Sequence, residues 1–102
     1  MCEFQQLFLS QEGYIVICRQ CGCFQLCYGK VVLDLSSHDF GVLRAFVKRR
    51  LAAEYASPDE EFRQIIIPTP HATVNLLLSM KELRQFAGML EEAEIELDTL
   101  KL

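Results

Sequence analysis

The chain has 102 residues, 51% of them hydrophobic, and a formal net charge of −4. Residues 1–102 form a single domain on this reading, because the length leaves no room for a second core. Charge argues against a broad nucleic-acid footprint: residues 1–57 carry six Lys or Arg against five Asp or Glu, and residues 58–102 carry four against nine, whereas phosphate neutralisation needs a basic face.

No apolar run reaches membrane-spanning length. The opening MCEFQQLFLSQEGY has neither the basic stretch nor the long apolar core of a secretory signal. A reducing cytoplasm is therefore the expected compartment, with no membrane association. Mean hydropathy is +0.16, apolar for so small a domain. It predicts that part of the surface is covered, most simply by a second copy in a two-fold homodimer, or else by an unidentified protein partner.

Four strands come first. EFQQLFL and YIVIC flank SQEG, a hairpin turn with Gly13 at its end. CFQLCY and VVLDL flank Gly29-Lys30, a two-residue hairpin. Ser36 then stands before a helical stripe of Phe40, Leu43, Phe46, Val47 and Leu51. The helix is predicted from about Ser37 to Tyr55, ending before Ser57-Pro58. Its VKRR run (Val47 to Arg50) is the only basic cluster and reads as a solvated face. FRQIII and VNLLL are two more strands around PTPHAT. Ser79 opens a second helix with the stripe Leu83, Phe86, Met89, Leu90, Ala93 and Leu97, running close to the C-terminus.

The predicted order is β-β-β-β-α-β-β-α, an α+β fold with an antiparallel sheet and both helices on one face. It is also internally duplicated, with repeats at about residues 14–56 and 62–100. Shifted by 43 positions, Leu33 falls on Leu76, Leu35 on Leu78, Ser36 on Ser79, Asp39 on Glu82 and Val47 on Leu90. The shared Ser-x-x-Asp/Glu is a capping box. The serine accepts from a first-turn amide, and the acid three residues on reaches back to the cap. Glu82 is long enough for this, while Asp39 is shorter.

Four of the five cysteines lie in CRQCGCFQLC, residues 18–27. Cys18-x-x-Cys21-Gly22 has the spacing of a metal knuckle: two thiolates on a tight turn can grip one ion. A structural zinc needs four ligands, at about 2.3 Å for sulfur. Strand pairing suggests the others. If opposed residues in the first hairpin sum to 23, Cys2 faces Cys21; if the next turn runs through Arg19 to Gly22, Cys18 faces Cys23. Opposed Cβ atoms lie about 4.5–5.5 Å apart, so Cys2, Cys18, Cys21 and Cys23 form a candidate four-thiolate zinc site. Cys27 lies about 13 Å further along its strand from Cys23 and reads as a buried filler opposite Tyr14 and Val32. The spacing does not match a ferredoxin cluster run.

The same thiols allow a second reading, a redox sensor using Cys18, Cys21 and Cys23. Cys23 is expected opposite Ser36 at a helix start, where thiolate is stabilised. A thioredoxin-type Cys-x-x-Cys opens a helix, whereas this one joins strands, so no oxidoreductase activity is assigned. The third reading is packing alone. His38 and His71 share no short chelate spacing with a cysteine and read as surface residues.

The run C-x-x-C-G-x-x-x-L-x-Y-G-x-x-x-L-x-L-S-x-x-D-F resembles a group of short bacterial proteins of unknown function. They carry Cys-x-x-Cys, Leu-x-Phe-Gly and Leu-x-Leu-Ser followed by an acidic-aromatic pair. The likeness spans about residues 14–47, with Tyr28 in the place of the usual Phe and Cys23 and Cys27 as additions. It implies no activity. LDLSSHDFGVLRAFV also resembles the strand and first helix of response-regulator winged-helix domains, which makes a DNA-associated regulator the third functional reading. No basic recognition helix follows it. No Ser/His/Asp grouping with the local spacing of a catalytic motif, Gly-rich phosphate loop or H-E-x-x-H is present. The expected function is thus a non-enzymatic interaction or regulatory module.

Overall fold

The computed structural model describes residues 3–54 and 59–100. The elements follow the predicted order: β1 (Phe4–Leu9), β2 (Gly13–Cys18), β3 (Phe24–Tyr28), β4 (Val31–Leu35), α1 (Ser37–Ala53), β5 (Ile65–Pro68), β6 (Asn75–Leu78) and α2 (Met80–Leu100). The class is α+β. Strands β1 to β4 form an antiparallel meander, and β5 and β6 form a separate two-stranded sheet. The strands thus divide between two sheets instead of forming one.

Alternation sets which face of the meander is buried. Ile15, Leu26 and Leu33 lie side by side across β2, β3 and β4 and are almost fully enclosed. The same row parity puts Tyr14, Cys27 and Val32 on the opposite, uncovered face. Gly13 is required where it stands: a Cβ there would lie 1.9 Å from the Cys27 carbonyl oxygen on β3. Gly29, at φ +60°, takes the left-handed turn that the β3–β4 hairpin needs.

Both helices close the inner face. Phe40, Leu43 and Val47 of α1, and Leu83, Phe86, Met89, Leu90 and Ala93 of α2, share one core with the inward residues of both sheets. Phe46, Leu51 and Leu97 pack around its edge. Phe24 of β3 stacks flat on Phe40 in the first turn of α1, with centroids 4.1 Å apart. The helix ends also follow the capping argument. Ser36 Oγ accepts from the Asp39 amide at 3.1 Å. Around Ser79 the box is complete: its Oγ accepts from the Glu82 amide at 3.1 Å, and Glu82 Oε1 accepts from the Ser79 amide at 2.9 Å. Helix α1 ends at Ala53, two residues short of the predicted Tyr55, with Glu54 as its C-cap. Tyr55 and the Ser57-Pro58 stop lie outside the described residues.

Side chains fasten the small sheet to the rest. The Arg50 guanidinium donates to the Ile66 carbonyl at 3.0 Å, and His71 Nε2 donates to the Asp34 carbonyl of β4 at 2.7 Å. Among the described residues no helix is long and apolar enough to cross a membrane.

Candidate functional site

The cysteine cluster sits at the end of the meander where β2 turns into β3. The turn is tight. Cys18 N–H donates to the Cys23 carbonyl at 2.8 Å, and Gly22 N–H donates to the Cys18 carbonyl at 2.9 Å. Gly22, at φ +77°, supplies the left-handed residue that closes it. Cys18 therefore lies opposite Cys23, continuing the Ile17–Phe24 pairing as expected. The Cys21 amide points at sulfur, 3.5 Å from Cys18 Sγ. Amide-to-sulfur bonds of this kind stabilise negative charge on a thiolate.

The three sulfurs differ in environment. Cys18 is buried, with 1% of its surface exposed, while Cys21 and Cys23 are exposed. A hydrogen bond joins the Cys23 and Cys21 thiols. That bond, followed by the charge of Cys21, holds the Cys23 thiol above its ordinary pKa; Cys18 and Asp34 push the same way. Thiols crowded together resist ionising together. Among the described residues, no three His, Cys, Asp or Glu side chains are arranged to hold a metal ion.

Cys2 lies outside the described residues. The β1–β2 register, however, departs from the uniform pairing that would set it opposite Cys21. The first hairpin starts as expected, with Leu9 opposite Tyr14 and Phe8 opposite Ile15. A bulge between Gln6 and Phe8 then moves the register by one, so that Phe4 faces Cys18. Uniform pairing of β1 no longer predicts Cys2 against Cys21. Cys27 also departs from expectation. It pairs with Tyr14 and Val32, as the registers require, but it is half-buried on the uncovered face and not a core filler. His38 and His71 are exposed.

A second polar cluster was not legible as a group in the sequence. It surrounds Tyr28 at the opposite end of the meander, beside a cleft of about 440 Å³ between β4 and β6. Tyr28 OH donates to Gln85 Oε1 at 2.7 Å and to the Glu82 carbonyl at 3.2 Å. Burial, then the Glu82 and Glu12 charges, push its phenol up to about 12. Arg63 forks onto the Glu82 carboxylate with two bonds of 2.9 Å. This pairing, opposed by partial desolvation and helped by the Ser79 amide, lowers Glu82 to about 2. The Arg63–Glu82 fork and the Tyr28 bonds to Glu82 and Gln85 thus fasten α2 to the sheet. Arg63 stands 19 residues before Glu82, and no local spacing announces the pair.

No curated protein and no solved structure matches the chain. A family model described as a family of unknown function, DUF6686, matches residues 1–102. Its match over the whole chain, meander, caps and cysteine turn included, places this protein in the DUF6686 family.

Proposed function

We propose that this chain is a non-enzymatic interaction or regulatory module whose β2–β3 turn is a cysteine-ligated zinc knuckle. Cys18 and Cys21 are the first ligands, Cys23 the third and Cys2 the fourth. The observation that carries this reading is the turn itself. Its bonds set Cys18 against Cys23, aim the Cys21 amide at Cys18 Sγ and bring the Cys21 and Cys23 thiols into hydrogen-bond contact. A dication would reverse the mutual repulsion that raises Cys23, because it favours thiolates over thiols. Binding would draw the exposed Cys21 and Cys23 sulfurs in towards Cys18 and recruit Cys2 from the chain start. The serine caps at Ser36 and Ser79, each accepting from the amide three residues on, support reading the β-β-α segments as a duplication of one unit.

The redox reading has less support. A sensor thiol needs a lowered pKa, and Cys23 is shifted the other way. The DNA-associated reading lacks a basic helix after α1, since residues 91–100 of α2 carry five acidic side chains and no Lys or Arg.

Native mass spectrometry with metal analysis, on protein purified without chelator, tests the proposal. About one zinc per chain, lost in Cys18→Ser and in Cys21→Ser, is the expected result. A metal-free chain with reduced thiols overturns the knuckle. A mass lower by two protons, reversed by reductant, transfers the site to the redox reading.

A further inference from the structure

We infer that the outer face of the α1–α2 pair is the contact surface for a second copy of this chain, joined by a two-fold axis that lays α1 of each copy over α2 of the other. Arg44 of α1 and Glu94 of α2 form an ion pair between the two helices. Between them runs a groove of about 200 Å³ with an apolar floor that includes Val47, Leu51, Ala87 and Leu90. Ile95 stands on its rim and is 59% exposed. Nothing in the described protomer covers it.

Charge selects the occupant. Helix α1 carries four basic residues and one acid, while residues 91–100 of α2 carry five acids and no base. Lys48 on one side and Glu91 on the other line the groove, are exposed and make no ion pair among the described residues. A partner that satisfies both walls must present an acidic helix beside a basic one. The chain's own helix pair is such a surface. An axis that exchanges α1 and α2 sets unlike charges together twice, as isologous contact requires. Stacking α1 on α1 would set like charges together. Gly88 lies one helical turn before Glu91 and two before Ile95 on the same side of α2. A Cβ built on it meets nothing within 4 Å, so the protomer's own packing does not call for glycine there, whereas close approach of a second helix would.

Two single charge reversals provide the test, because each is repulsive with itself and complementary to the other. Sedimentation equilibrium across the micromolar range should show a dimer for the unaltered chain. Lys48→Glu and Glu91→Lys should each weaken self-association roughly tenfold. Mixing the two variants should restore a dimer containing one copy of each. Both positions are exposed, and circular dichroism of each variant checks that it folds. A monomeric unaltered chain overturns the inference. So does a dimer that both reversals leave unchanged, or a mixture of the variants that stays monomeric.

Discussion

Neutralising Glu82 without shortening it isolates the electrostatic part of its role. Glu82→Gln leaves a carbonyl oxygen that can still accept from the Ser79 amide, now 2.9 Å from Oε1. It removes the negative charge that receives the Arg63 fork. The carboxyl falls from an ordinary 4.5 to about 2 on folding. At about 1.4 kcal/mol per pKa unit the ceiling is about 3 kcal/mol. Arg63 is 63% exposed and the pair is open to solvent screening, which reduces the expected contribution to about 1 kcal/mol. Because the folded pKa lies below the unfolded one, folding favours the ionised form. The contribution is complete above about pH 4.5 and disappears as pH falls through about 2. Urea unfolding of both proteins over that range measures it. The stability gap between them should be about 1 kcal/mol at neutral pH and should close as the solution is acidified. A gap that is absent at neutral pH, or that keeps its size at low pH, refutes the assignment of this charge to helix capping and the Arg63 pair.

Tyr28→Phe should cost about 1 kcal/mol by removing a buried phenol hydrogen bond, read from the urea midpoint. It should also flatten the alkaline limb of stability, since a phenol held protonated to about 12 contributes fully below its ordinary pKa of 10.0 and loses that contribution as pH rises through about 12. Gly13→Ala should destabilise by about 2–4 kcal/mol, because its Cβ meets the Cys27 carbonyl at 1.9 Å; thermal unfolding checks it. Phe86→Ala, at a fully enclosed side chain that packs on the Tyr28 ring, should cost about 3–5 kcal/mol in the same assay. Cys27→Ser should leave both zinc content and stability nearly unchanged, since the side chain is half-buried on the open face; metal analysis and calorimetry read both.

Short-range chemistry was legible in the residues themselves. The stripes of α1 and α2 predicted most of the buried helix positions, and Ser36 and Ser79 marked both helix starts. Glu82 was long enough to complete its box, and its back-bond to the Ser79 amide is formed. The hairpin turns at Gly22 and Gly29 set the registers that oppose Cys18 to Cys23 and Cys27 to Val32, because a tight turn leaves little choice of pairing. Tertiary structure alone decided the rest. The bulge beside Leu7 shifts β1 by one residue, and no local propensity marks that residue as an insertion. Strands β5 and β6 pair with each other in a sheet separate from the meander. The Arg63–Glu82 fork and the Arg44–Glu94 pair join residues far apart in the chain. Sequence by itself determines which residues prefer a turn, a cap or an apolar face. Which distant charges and thiols meet is settled only when the helices choose their places on the sheet.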